Sequence, residues 1–421
     1  MSLKATRLKV LLVHNTYQDQ GGEDVVLRQE RELLTAAGHD VSEYLRHNSE
    51  IKQYSVAQRL TLIGRTVWAF DSQREFRELV LHRKPDIVHV HNTFPLISPS
   101  VYNVCEEAKV PVVQTLHNYR LFCSGANFFR DGRVCEECID GHFWRGVRHG
   151  CYRDSPLQTA PVALMLSLHH ARKTWFRKVD RYIALTSFAR GRFVKAGMPA
   201  EKIVVKPNFV PDPGKRSGGE GSYAVCVGRV SQEKGVPTLL KAWRVLGQAI
   251  PLQVIGVGPA RELLEREAAA DGLSHVKFLG QQPRDQVIAA MKGARFVIFP
   301  SELYENFPLT ILEAFACGVP VVASRLGAMQ EIVEDGRTGM FFGPGNAQEL
   351  ADVVARAWQQ PEYMKLLGEQ ARKEYEINYT AAANYGRLME IYQEVIAART
   401  AEAEPLRVPL QVPVSEEVPR A

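Results

Sequence analysis

Two glutamates, Glu305 and Glu313, are separated by seven residues in Glu-Asn-Phe-Pro-Leu-Thr-Ile-Leu-Glu-Ala-Phe-Ala-Cys-Gly, which ends at Gly318. The run from Leu309 to Ala316 has helical character, and Asn306 with Pro308 marks its beginning. Glu305 therefore falls in a polar loop just ahead of a helix and Glu313 inside it. The first N–H groups of such a helix lack intrahelical partners and attract an anion. Alone, the pair has an ordinary reading, because glutamate is common on solvated helix faces. A second stretch shifts that balance. Val225 to Gly228 reads as a short buried strand, and the loop after it carries Arg229 and Lys234. A planar guanidinium fork and a mobile ammonium form a complementary pair for diphosphate oxygens. Downstream, Gly318 to Ser324 turns tightly into another buried strand. Near the start, the strand Leu8 to His14 precedes Gly21 and Gly22, where a backbone without Cβ can approach a ligand closely.

Taken together, these residues resemble the retaining glycosyltransferases of family 4 over roughly residues 8–397. The resemblance implies an α/β chain of GT-B architecture, two Rossmann-like domains facing each other across a cleft. It implies that Glu305 contacts the donor sugar, that Glu313 contacts the nucleotide ribose, and that Arg229 and Lys234 hold the diphosphate. Gly21 and Gly22 would lie against donor and acceptor. Val112 to Asn118 looks like the family strand ending in a histidine that faces the donor sugar, which gives His117 that role. Gly256-Val257-Gly258-Pro259 resembles a loop near the nucleotide, and Asn306, Phe307, Leu309 and Thr310 fall on the donor side. The chain departs from the family pattern at Asn306 and Pro308, where glycine is common.

The implied reaction transfers a sugar from a nucleoside diphosphate sugar to a hydroxyl, in polysaccharide, glycolipid or cell-envelope glycan synthesis. It proceeds with retention by front-face substitution, the leaving phosphate taking the acceptor proton. No Asp-x-Asp occurs in the sequence, which argues against a metal-bridged diphosphate. Arg229, Lys234 and the helix start at Leu309 and Thr310 would then stabilise the departing charge without a metal cofactor. Two alternatives stay open: a nucleotide-sugar epimerase of the same architecture, and a non-catalytic sugar-nucleotide binding protein.

The elements that must position these residues are legible in the pattern. At 421 residues and 45% hydrophobic content, two domains are expected. Apolar runs alternate with helical patterns in both halves, as in parallel sheets wrapped by helices. In the first half the strand candidates are Leu8–His14, Asp86–His91, Pro111–His117, Arg181–Thr186 and Lys202–Lys206. In the second they are Tyr223–Gly228, Leu252–Gly256, Val276–Leu279, Phe296–Pro300 and Val319–Ala323. The domains read as 1–210 on the acceptor side, with a cysteine-rich insertion at 119–155, and 211–378 on the donor side. The Pro- and Gly-rich stretch from Pro211 to Ser222 would link them. A helix at 379–398 would cross back to the first domain, and a Pro- and acid-rich tail at 399–421 reads as disordered.

Neither a signal peptide nor a long apolar stretch is visible, so a cytoplasmic enzyme is expected. Residues 1–210 hold 30 Lys+Arg against 21 Asp+Glu, net +9. Residues 211–421 hold 22 against 26, net −4. The basic half suits an anionic partner. An anionic membrane is one candidate, through Leu164, Leu168, Trp175 and Phe176 beside Arg172, Lys173, Arg177 and Lys178; an ordinary helix packed on the sheet is the other. Nucleic acid is not expected, for want of a recognised motif with interleaved aromatics.

His14, His89 and His91 at strand ends read as buried, backbone-bonded histidines. Cys123, Cys135, Cys138 and Cys151 form Cys-x11-Cys-x2-Cys-x12-Cys. Four thiolates at that spacing suit a structural zinc, with His142 or His149 as substitute ligands. Free buried thiols and disulfides are the competing readings.

Overall fold

The computed structural model describes residues 7–18, 21–218 and 221–403. Gln20 of the glycine loop, 219–220 of the linker and 404–421 of the tail lie outside the described residues. The first sheet is built from β1 (Lys9–Thr16), β2 (Asp40–His47), β3 (Ile87–Asn92), β4 (Val112–Leu116), β5 (Arg181–Ala184) and β6 (Ile203–Val205). All pairings are parallel, in the order β2-β1-β3-β4-β5-β6. The second sheet holds β7 (Ala224–Val227), β8 (Leu252–Ile255), β9 (Val276–Gly280), β10 (Phe296–Phe299), β11 (Val321–Ser324) and β12 (Gly339–Phe342). It is also parallel, ordered β9-β8-β7-β10-β11-β12. Counted within this sheet the order is 3-2-1-4-5-6, that of a dinucleotide-binding fold, in which ligands collect beyond the carboxyl ends of the strands. The first sheet, counted in the same way, runs 2-1-3-4-5-6, and the two parallel, helix-covered domains together make the GT-B architecture. The central strands β3, β4, β10 and β11 are buried at every position, as parallel strands covered by helices on both faces must be.

Five of the helices bear on the site and its surroundings: α1 (Gly22–Ala36), α2 (Pro156–Ala171), α3 (Ser187–Lys195), α4 (Leu309–Ala316) and α5 (Ala381–Ala403). Helix α5 returns to the first domain. Its Leu388, Ile391, Tyr392 and Val395 pack with Leu8, Val10 and Leu12 at the start of the chain. Three polar contacts fix its register: Tyr392 Oη with His89 Nδ1 at 2.7 Å, Tyr385 Oη with His39 Nε2 at 2.9 Å, and Lys206 Nζ donating to Asn384 Oδ1 at 3.1 Å. Lys206 also pairs with Glu30 at 2.8 Å, both side chains 1% exposed. Helix continues to Ala403, so the first residues of the expected tail, 399–403, are helical instead.

Strands β2 and β12 are not anticipated by the sequence pattern. Segment 163–179 packs as an ordinary part of the first domain. Trp175 is buried, Leu168 and Phe176 pack on the core, and only Leu164 of the four apolar residues is exposed. No described helix is long and apolar enough to cross a membrane.

Candidate donor site and the histidine chain behind it

The loop after β7 and the start of α4 meet where the two domains face each other. Gly22, Arg229, Lys234, Ser301, Glu305, Phe307, Leu309 and Thr310 line a single cavity of about 300 Å³. Gly22, at the first turn of α1, comes from one domain and the remainder from the other. A Cβ on Gly22 would stand 3.8 Å from Leu309 Cδ1, so the starts of α1 and α4 abut. A wider depression of about 540 Å³, beside Pro85, Asp86, Val110 and Pro111, lies at the amino ends of β3 and β4, away from these motifs.

Glu305 is held from two sides: Lys234 Nζ donates to its Oε1 at 2.6 Å and Ser301 Oγ to the same oxygen at 2.7 Å. Its other oxygen has no protein partner among the described residues. Arg229 is exposed and its guanidinium pairs with no described residue. Helix α4 follows Pro308 without a side-chain cap, which leaves the N–H groups of Leu309 and Thr310 free of intrahelical bonds. An anion in this cavity therefore meets an unpaired fork, an ammonium shared with a carboxylate, and a helix start.

The remaining expected residues sit around this core in different ways. Glu313 is set deeper, where Arg284 reaches it at 3.3 Å and burial raises its carboxyl pKa despite that cation. Gly258 packs so closely on the loop of Arg229 that a Cβ would stand 2.3 Å from the Val230 carbonyl oxygen. Its lack of a side chain is what lets that loop take its position. Asn306 donates from Nδ2 to the Leu116 carbonyl at 2.7 Å, bonding the donor loop to the residue before His117. Gly21 donates its N–H to Asp24 Oδ2 at 2.7 Å, and Asp24 Oδ1 lies 2.7 Å from His14 Nε2, which fastens the glycine turn to β1.

Residues 20–212 match the model described as Glycosyltransferase Family 4, and residues 213–374 match Glycosyl transferases group 1. The chain belongs to glycosyltransferase family 4. It is 28% identical over 256 residues to an alpha-D-kanosaminyltransferase of Streptomyces kanamyceticus, covering 56% of this chain and 65% of the relative. It is 28% identical over 240 residues to a GDP-mannose-dependent mannosyltransferase of Mycolicibacterium smegmatis that acts on phosphatidylinositol monomannoside, covering 52% and 63%. The chain thus spans about half to two thirds of the length of the curated relatives it matches. Among solved structures, sucrose-phosphate synthase of Thermosynechococcus elongatus superposes with a TM-score of 0.70 at 18% identity, covering 93% of this chain and all of that one. HepE of Anabaena in complex with UDP-glucose gives 0.66 at 19%, covering 92% and 100%.

In this family-4 chain His117 does not line the cavity of Arg229 and Glu305; with His91 it lines a separate cavity of about 30 Å³, as part of a chain of histidines. Contrary to the expectation of backbone-bonded rings, their partners are side chains. His89 bonds Tyr392 and Thr115. His91 Nδ1 lies 2.9 Å from His117 Nε2, with the two rings stacked. Glu30, His89 and His91 bring ligand atoms within 4.8 Å of one another, a grouping that spacing did not reveal. The cation already there is Lys206. A carboxylate 3.3 Å from His91 Nε2 favours a proton on that nitrogen. Nδ1 is then left to accept from His117 Nε2–H, so that His117 Nδ1 becomes that ring's acceptor. Burial, then the neighbouring histidines, holds both His91 and His117 well below the usual imidazole range, so both are neutral at pH 7.

Glu23 escapes a sequence-based search because nothing in its spacing sets it apart. It is 9% exposed, in the first turn of α1, with Asn118 Nδ2 donating to it at 3.4 Å. Burial raises its pKa to about 7 against the opposing pull of His14, Tyr17 and Arg120. The four cysteines of the insertion are free thiols, which removes the disulfide reading. They line one small cavity together with Gly125, Arg130 and Gly146. His142 and His149 pair instead with carboxylates, Asp140 and Glu137.

Proposed function

We propose that this chain transfers a sugar from a nucleoside diphosphate sugar to a hydroxyl acceptor, with retention and without a metal on the diphosphate. The reading rests on one observation. Arg229, Lys234, Glu305 and the start of α4 surround a single cavity at the carboxyl ends of the strands, with Gly22 of the other domain closing it. Arg229 takes two diphosphate oxygens in its fork. Lys234 turns from Glu305 toward the bridging and terminal oxygens, and the N–H groups of Leu309 and Thr310 meet the rest of the charge. Glu313 accepts from the ribose.

As the bond between anomeric carbon and phosphate oxygen breaks, negative charge grows on the leaving diphosphate, where these donors are already fixed and need no reorganisation. The acceptor oxygen bonds to the same face of the sugar, and its proton passes to the departing phosphate oxygen. The free oxygen of Glu305 and the Nδ1 of His117 accept from sugar hydroxyls and hold the ring in place. The acceptor enters over the glycine turn, on the side of Glu23. The acceptor is a glycan or a lipid-linked sugar, the class on which the related phosphatidylinositol monomannoside mannosyltransferase acts.

The test is turnover with a panel of nucleotide sugars and acceptors, followed by nuclear magnetic resonance of the anomeric product. Glu305→Gln and Lys234→Ala should each lower kcat by about 10²-fold while the fold persists. Glu313→Ala should mainly raise donor KM, since a ribose contact is equal in ground and transition states. Unchanged turnover in a folded Glu305 or Lys234 variant would remove the assignment. An epimerised donor formed without acceptor would make the chain an epimerase instead.

A further inference from the structure

Between Tyr119 and Ser155 the chain has little regular structure to hold it. There are two two-residue strands, Phe129–Arg130 and Arg133–Val134, and a five-residue helix, Trp144–Arg148. Ala126, Phe128, Asp131, Arg153 and Asp154 all have positive φ, between 49° and 68°. Each non-glycine residue there costs roughly 1 kcal/mol and persists only where the surroundings over-determine it. Yet this segment contacts the other domain at two places. The turn at Gly132 comes so near that a Cβ would stand 3.3 Å from Gln232 Nε2, two residues from Lys234. Glu136 pairs with Arg192 and Lys195 of α3 and bonds Tyr304, the neighbour of Glu305.

Cys123, Cys135, Cys138 and Cys151 converge from three separate turns on one cavity of about 20 Å³, room for about one water-sized sphere. No carboxylate lines it. A donor of the kind that supports metal thiolates is in place: Arg130 lines the same cavity, its guanidinium beside Cys151. No three of the sulfurs yet lie within 4.8 Å of one another. The edge of a zinc–sulfur tetrahedron is about 3.8 Å, from a Zn–S distance of about 2.3 Å, so ligation draws them inward through side-chain rotation.

We infer that these four cysteines hold one structural zinc ion, and that this staple fixes the wall the first domain presents to the donor loops of the second. Four soft thiolates closing a tetrahedron select zinc over oxygen-seeking cations and leave no open position for chemistry. The thiol protons go to solvent on binding, and the binding energy orders the segment. Glu136, inside the Cys-x2-Cys knuckle, and Gly132, at the hairpin turn, are thereby fixed next to Tyr304 and Gln232.

Metal content tests this independently of any transfer activity. Full-length protein purified without chelator should carry about one zinc per chain, released when a mercurial titrates four thiols. Cobalt(II) exchanged into the protein should give the thiolate charge-transfer and intense visible bands of a tetrahedral sulfur site. Cys135→Ser with Cys138→Ser should lose the ion. Since that variant can fail to fold, Cys151→His is the second probe, and it should keep the ion with an altered cobalt spectrum. Folded, unmodified protein with no zinc and four freely titrating thiols would overturn the inference. So would iron–sulfur absorbance, or an intact mass lower by the hydrogens of a disulfide.

Discussion

Glu23 is a carboxyl that the fold leaves half protonated near neutrality. Its pKa of about 7 arises first from burial and then from Asp24 beside it, with His14, Tyr17 and Arg120 pulling the other way. If its ionised form receives an acceptor hydroxyl, the rate should rise as pH passes upward through 7, and Glu23→Gln should flatten that limb. Stability supplies a second readout. The folded pKa lies above the unfolded value of 4.5, so the stabilisation of the protonated form is complete below 4.5 and is lost as pH rises through 7. Glu23→Gln should therefore melt higher than the parent at pH 8 and alike at pH 4, while losing activity. A variant with the parent's pH profile and a lower melting point at pH 8 would show Glu23 to be structural. The neutral histidines carry the opposite sign. Folding depresses His89 to about 4, so its contribution is present above 6.5 and is lost as pH falls from there.

Among the elements, every interior strand was legible, and two of the four edge strands were not. β1, β3, β4, β7, β10 and β11 announce themselves as apolar runs because helices cover both their faces. β2 and β12 each form one edge of their sheet; β6 and β9, at the opposite edges, were given away by their short apolar runs. β2 alternates Asp, Ser, Glu and Arg among its apolar residues and keeps one side partly wet, so its composition resembles a loop. The site divides in the same way. Arg229, Lys234, Glu305, Leu309 and Thr310 were readable because each is fixed by a local strand-to-loop or loop-to-helix motif. Glu30 and His91 act through contacts with residues far away in the sequence, which no local pattern encodes. Lys206 is the clearest example. It sits just past β6 and pairs across the domain with Glu30 and Asn384 of α5. Burial raises the Glu30 carboxyl, but Lys206 and His89 together pull it below its usual range. Lys206→Met should destabilise the protein by about 3–5 kcal/mol, because it strands a buried carboxylate. Adding Glu30→Gln should recover much of that loss in denaturant unfolding, and a double variant no better than the single would refute the pairing as the cause.

At the scale of the whole molecule, the question is what holds the two domains closed over the donor cavity. Asn306 to the Leu116 carbonyl is one bond across the cleft, and Glu136 to Tyr304 is another. A third contact is a cap supplied from outside: the N–H groups of Ser187 and Phe188, at the start of α3 in the first domain, donate to the Glu331 carboxylate of the second at 2.7 and 2.9 Å. Phe188 stacks edge-on against Tyr304 beside this latch, with ring centroids 4.8 Å apart. A carboxylate at a helix start stabilises it both as a hydrogen-bond acceptor and against the helix dipole, by about 1 kcal/mol. Thr186 already caps the Ala189 N–H, so losing Glu331 leaves α3 itself intact. The loss therefore falls on the closed arrangement rather than on folding. One kcal/mol corresponds to about a fivefold change in the open-to-closed ratio. Glu331→Ala should then enlarge the radius of gyration in small-angle scattering without donor, and a saturating nucleotide sugar should restore the closed value. Donor KM should rise by up to about fivefold with little change in melting temperature. Glu331→Gln keeps an acceptor oxygen but not the charge, and should fall between the two. If the alanine variant scatters like the parent and binds donor equally well, closure does not rest on Glu331 but on the Asn306, Glu136 and Phe188 contacts.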